Sequence, residues 1–251
     1  MQREVNVLGS QIHAGRQADY VDLILEWAQA RQSRVVCFCN GHSVVTASRD
    51  PDLRSALQKA DLRLPDGASV AWLMRRLGSP AQDRIDGPGT MWSLSRGAAA
   101  RNVSVCLVGS THRTLSALTT NLLLAFPHLR IIDALSPPFR PLSEAEERRF
   151  VTAINASGAG LVFVSLGCPK QEKWMVGVSH QVSAVMLGVG AAFDYHAGTV
   201  ARDPEWLQRS GLEWFYRLLQ EPRRLWKRYF FTNTLFVLGA LQQLLRARRF
   251  L

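Results

Sequence analysis

Three stretches of the chain share one design: "VSVCLVG" (103–109), "LVFVSLG" (161–167) and "AVMLGVG" (184–190) are near-continuous apolar runs that end on a glycine turn. Runs without polar alternation belong to strands buried on both faces, as in a parallel sheet covered by helices. The first two lead into helical spacing, "HRTLSALTTNLL" and "KQEKWMVGV". Between them, "LSEAEERRFVTAINASG" opens on a Ser143-x-x-Glu146 capping box and predicts a further helix. Upstream the same alternation holds. "VDLILEWAQA" (21–30) has helical spacing, and "SRVVCFCN" (33–40) predicts a buried strand ending in a polar turn. Asp50 or Asp52 can cap a helix running to about Ala60, "LRLP" predicts a short strand ending at Asp66-Gly67, and "GASVAWLMRRLG" predicts the helix after it. The expected fold is α/β: a doubly wound, mainly parallel, Rossmann-like sheet, in which ligands bind at the carboxyl ends of the strands.

The pattern changes after "DYHAGTVARDPEW", where Trp214, Phe215, Tyr216, Trp226, Tyr229, Phe230 and Phe231 interleave with arginines. Between Arg209 and Leu251 there are nine Lys/Arg against two Glu, so most of the net charge of +10 lies there. Charge concentrated in one segment points to an anionic partner of that segment rather than of the whole body. The boundary falls near 200–208, giving a Rossmann-like domain over 1–205 and a helical, basic and aromatic appendage over 206–251.

At 251 residues and 47% hydrophobic content the chain can bury one substantial core. Cys37, Cys39, Cys106 and Cys168 lie in or beside apolar strands without paired zinc spacing, so reduced core thiols and no metal site are expected. No stretch reaches the ~20 apolar residues of a spanning helix, and the N-terminus lacks the apolar region of an export signal.

The chemistry-bearing residues gather at expected strand ends. Gly109-Ser110 precede a helix whose free N–H groups favour an anionic phosphate, although the spacing matches neither the dinucleotide nor the P-loop pattern. Gly188 and Gly190 allow close backbone approach to a ligand or to a neighbouring element. Asp66 can cap the following helix or act as a general base. Asn40 and His42 end an adjacent strand and can hydrogen-bond a sugar. Arg84 and Asp86 form a local ion pair or a phosphate clamp with its orienting carboxylate. In "SLGCPKQEKW" (165–174), the row Lys170-Gln171-Glu172-Lys173 reads as a solvated first turn, with Glu172 suiting the positive helix end, or as part of a binding cleft faced by Gln171.

The segments "LPDGASVAW", "DRIDG", "LGCPKQEKW", "GVGAAFDYHAGTVARDPEW" and "GLEWFYRLLQEPRRLWKRY", in this order, resemble the WecG/TagA/CpsF family of bacterial glycosyltransferases over roughly residues 35–235. The resemblance implies an inverting transfer of a sugar from a UDP-sugar donor to a sugar on a polyprenyl diphosphate lipid, with no metal or other cofactor. It makes Asp66 the general base, sets Asn40 and Gln171 against the sugars and Arg84 at the diphosphate region, and adds Asp194 of "FDYHAG" to the substrate-binding candidates. The family's Thr-x-Asn reads Phe38-Cys39-Asn40 here, so its threonine is missing. "CNGHSVV" is similar to the exopolysaccharide branch that contains the xanthan-type β-glucosyltransferase, which favours glucose; UDP-N-acetylmannosamine and its uronic acid are the competing donors.

A polyprenyl-linked acceptor gives the 206–251 appendage a reason, because arginines attract anionic headgroups and Trp and Tyr prefer the membrane interface. The resemblance also brings Arg217, Arg223, Arg224 and Arg228 to the acceptor diphosphate. The expected location is the cytoplasmic face of the bacterial inner membrane, bound peripherally, with homo-oligomerisation left open. The competing class is a non-enzymatic nucleotide-sugar or nucleic-acid binding module, since basic and aromatic residues interleave. The apolar "TLFVLGAL" beside that charge suits a bilayer better than a duplex, so no nucleic-acid partner is expected.

Overall fold

The computed structural model describes residues 3–201, 207, 218–219 and 222–247. In chain order the elements are β1 (Glu4–Val7), β2 (Ser10–His13), α1 (Gln17–Gln29), β3 (Arg34–Cys39), α2 (Gly41–Ala47), α3 (Pro51–Lys59), β4 (Leu62–Pro65), α4 (Ala68–Arg76) and α5 (Gly87–Ala100). They continue with β5 (Ser104–Gly109), α6 (His112–Ala125), β6 (Arg130–Leu135), α7 (Glu144–Ser157), β7 (Leu161–Ser165), α8 (Lys170–Val178), β8 (Val185–Gly188), α9 (Ala192–His196) and α10 (Pro222–Ala247). Six strands form one parallel sheet in the order β4-β3-β8-β7-β5-β6, and β1 and β2 make a separate antiparallel hairpin. The doubly wound α/β expectation is met.

The chain divides into two compact units. One comprises Gln17–Cys37 and Gly87–Ala201. Here β7 is central: it pairs with β5, where Gly109 stands opposite Ser165, and with β8, where Val164 stands opposite Gly188. Every residue from Leu161 to Val164 and from Val185 to Leu187 is buried, which is why these runs show no polar alternation. Gly109 (φ +123°) must be glycine, because a Cβ there would stand 2.2 Å from the Ser165 carbonyl oxygen. The predicted capping box of α7 is present, Glu146 accepting from the Ser143 N–H at 2.9 Å and Ser143 Oγ accepting from the Glu146 N–H at 3.3 Å.

The other unit comprises Met1–Arg16, Phe38–Asp86 and Arg202–Leu251. Asp50 caps α3, its Oδ1 accepting from the Asp52 and Leu53 N–H groups at 3.0 Å each. Arg63 on β4 is buried and ties the hairpin down, donating to the carbonyls of Gln11, Leu57 and Ala60 and to Glu4. The last helix, α10, lays one face on α2 and the hairpin: Phe236 and Ala240 are buried, Phe236 lies against Gly41, and Gln243 bonds the backbone of Leu8 and Asn6 at 3.0 and 2.7 Å. The opposite stripe, Phe230, Phe231, Val237, Leu238, Leu241 and Leu245, is exposed. Among the described residues no helix is long and apolar enough to cross a membrane.

None of the four cysteines is in a disulfide; Cys37, Cys39 and Cys106 are buried and Cys168 is half-buried. Burial, with a contribution from the nearby Asp133 charge, pushes the Cys106 thiol up to about 12, so it stays protonated.

Candidate active site

In the unit that holds β4, the end of the strand and the start of α2 are built against each other. The Asp66 N–H donates to the Cys39 carbonyl at 2.9 Å, continuing the β3 edge by one residue past β4. Asn40 caps α2 through a reciprocal box with Ser43, accepting from the Ser43 N–H at 3.1 Å while its own N–H donates to Ser43 Oγ at 2.9 Å. That fixes the Asn40 side chain, whose Nδ2 stands 3.5 Å from Asp66 Oδ2. Gly67 (φ +92°), not Asp66, occupies the N-cap position of α4. The carboxylate of Asp66 thus lies one residue outside that position, beside Asn40.

Arg84 completes this cluster. The Ile85 N–H donates to the Pro65 carbonyl at 2.8 Å and pins the 84–86 segment alongside the end of β4. The Arg84 guanidinium then lies between two carboxylates, Nε 3.7 Å from Asp66 Oδ1 and Nη2 3.2 Å from Asp86 Oδ2. All three side chains keep some access to solvent, 22% for Arg84, 21% for Asp66 and 13% for Asp86. His42 sits in the first turn of α2, its Nδ1 3.5 Å from Thr46 Oγ1. Asn40, Asp66, Arg84 and Asp86 therefore form one cluster. Of the arginines expected at a diphosphate, Arg217 lies outside the described residues; Arg223, Arg224 and Arg228 fall within α10, with side chains outside what is described.

The other unit gathers the remaining candidates at the ends of β5, β7 and β8. Ser110 takes a left-handed conformation (φ +58°) and its carbonyl accepts from Ser136 Oγ at 2.7 Å. Ser165 Oγ donates to the Gly190 carbonyl at 2.8 Å, linking the turn after β7 to the turn after β8. Gln171 makes the same link from α8: its Nε2 donates to the Gly188 carbonyl at 2.9 Å, and its Oε1 accepts from the Gly167 N–H at 3.2 Å. A Cβ on Gly188 would stand 2.8 Å from Met175 and 3.0 Å from Gln171 Nε2, so glycine there is what lets Gln171 reach the strand. Asp194 sits in the first turn of α9; its carbonyl accepts from the Thr199 N–H at 3.0 Å and shapes the loop that follows.

The polar row at the head of α8 is not a solvated first turn. Only Lys170 is exposed; Gln171 and Glu172 are 4% and 1% exposed. Glu172 stands in the first turn of α8, as its match to the positive helix end requires, but it faces inward and accepts from Gln171 Nε2 at 2.9 Å. The signal was the spacing: Gln171, Glu172, Met175 and Val178 fall on one helical stripe, and all four are buried. His196 was also missed. Its ring stacks on Trp92 at 5.2 Å and its Nε2 donates to the Pro88 carbonyl at 2.9 Å, bracing the start of α5. Among the described residues no group of three or more His, Cys, Asp or Glu could hold a metal ion.

A parallel sheet flanked by helices, with glycine turns and polar groups at its strand ends, defines the chain as an α/β protein of the doubly wound class. Its sequence matches the Glycosyl transferase WecG/TagA/CpsF family over residues 5–250, and the chain belongs to that family. It is a glycosyltransferase, of a family that takes nucleotide-sugar donors and lipid-linked acceptors in cell-surface polysaccharide synthesis.

Proposed function

We propose that the chain is an inverting hexosyltransferase that moves a sugar, glucose as the leading candidate, from a UDP-sugar to a sugar carried on polyprenyl diphosphate, for exopolysaccharide or another surface polysaccharide. Asp66 takes the proton of the acceptor hydroxyl as that oxygen bonds to the anomeric carbon from the face opposite the leaving group; the bond to the diphosphate breaks and UDP departs with its electron pair. Arg84 offsets diphosphate charge, Asn40 and His42 orient a sugar, and Gln171 presents the second lone pair of its Oε1 to one. Gly109, Ser110, Gly188, Gly190 and Asp194 line the donor side in this reading. Residues 206–251 form the membrane appendage of a 1–205 catalytic body, the exposed apolar stripe of α10 lies in the interface of the cytoplasmic leaflet, and Arg217, Arg223, Arg224 and Arg228 meet the acceptor diphosphate.

The observation that carries this reading is Asp66 itself: a carboxylate at a strand end, held by Asn40 and Arg84 yet still reached by solvent. A base must be both positioned and accessible. The test is transfer from UDP-glucose, UDP-N-acetylmannosamine and UDP-N-acetylmannosaminuronic acid to glucosyl- and N-acetylglucosaminyl-diphosphate lipids in detergent. Asp66→Asn is expected to lower kcat by roughly a hundredfold or more with little change in donor KM. Equal loss of both would assign Asp66 a purely structural place, and transfer from a mannosamine donor alone would remove glucose.

A further inference from the structure

The proposed chemistry gives Glu172 no part, yet it is the most enclosed acid among the groups just described. It is 1% exposed, and its Oε1 accepts from Gln171 Nε2 at 2.9 Å. Neighbouring Gln171 has both amide hydrogens committed, to Gly188 and to Glu172, and its Oε1 committed to Gly167. Turning that carboxamide over would face an NH2 against the Gly167 N–H and an oxygen against two acceptors. Glu172 is thus the side-chain group that selects which way Gln171 points.

We propose that Glu172 is a positioning residue: its Oε1 locks the Gln171 carboxamide in the orientation that clamps the turn after β7 to the end of β8. This rests on the reading of those turns as the donor side. The lock sets two things at once, the spacing of Gly167 from Gly188 and the direction of the Gln171 oxygen left to meet a sugar hydroxyl. Burial pushes the Glu172 carboxyl above the ordinary range, only partly opposed by hydrogen bonds from Gln171, its own backbone and Cys168. The hydrogen bond from Gln171 to Glu172 Oε1 is copied closely by a glutamine and not by a hydrocarbon of the same size.

The test compares Glu172→Gln with Glu172→Met in the full chain, by steady-state kinetics and by amide exchange over the peptide that contains Gly167. Glu172→Gln is expected to keep kcat within about threefold, whereas Glu172→Met is expected to lose about tenfold or more, with donor KM rising as well. Exchange at Gly167 should quicken in Glu172→Met and stay near wild type in Glu172→Gln. Wild-type behaviour of Glu172→Met, or equal damage in both variants, overturns the proposal. If Glu172→Met does not fold, strong impairment of Glu172→Gln alone still overturns it. The exchange measurement needs no substrate, so it decides the lock even where the transfer assay fails, which would count against the donor and acceptor reading only.

Discussion

His13 shows how one buried ionisable residue couples this fold to pH. Its Nδ1 accepts from the Arg63 N–H at 3.1 Å and its Nε2 stands 3.2 Å from Glu4 Oε1. Burial lowers its pKa, the Arg63 charge adds to that, and Glu4 opposes it without reversing the direction. The native state therefore holds His13 neutral at a pH where the unfolded chain already binds a proton. Its contribution is complete above the unfolded value, near 6.5, and is lost as pH falls through the lower folded value. Thermal midpoints from about pH 7 to about pH 5 should fall further for wild type than for His13→Asn, whose side-chain oxygen can still accept from Arg63. Equal slopes would show that other groups carry the acid sensitivity. Residue-scale legibility was uneven. Asp66 and Asn40 stand together at the strand ends that the sequence marks, and Arg84 and Asp86 pair as their spacing suggests, whereas the burial of Glu172 was hidden by its chemistry, because charged residues at a helix start are normally wet.

At the scale of elements, legibility followed burial. Strands β5, β7 and β8 were readable because both faces are covered, and α3 and α7 because their caps carry a sequence signature. The hairpin β1–β2 and the edge strand β6, part exposed along its whole length, give short or broken patterns. Helix α5 begins Gly87-Pro88-Gly89 and carries a further glycine at 97, which masks a helical signal. Helix α10 makes its own prediction. One stripe is spent on α2 and the hairpin, and Phe230 and Leu245 on the other are 66% and 62% exposed. Replacing Phe230, Phe231, Leu241 and Leu245 together by serine should cut binding to anionic vesicles about tenfold or more while leaving the melting temperature close to wild type, since exposed positions contribute little to folding. Retained vesicle binding would remove α10 as the membrane contact.

For the whole molecule, charge is the distinguishing bulk property. A net +10, concentrated after residue 208, favours an anionic surface at long range, and that part of the attraction is screened by salt. Raising the salt from about 0.05 M to about 0.5 M should weaken attachment to anionic vesicles severalfold and leave attachment to neutral ones nearly unchanged. Salt-independent attachment to both would mean that apolar contact alone holds the protein there. The discontinuous make-up of the unit that carries Asp66 could not be read from local patterns, because it depends on α10 returning to Leu8 and Gly41, more than 190 residues away in the chain.

That return has a consequence during synthesis. The unit built on β5, β7 and β8 is encoded entirely before residue 202, so it can fold while translation continues. The unit bearing Asp66 waits for Phe236 and Gln243, and until they emerge from the ribosome the nascent chain has neither its finished hairpin seat nor its exposed apolar helix. The order of synthesis thus delays the exposed apolar stripe: it is completed only as the last described helix is delivered.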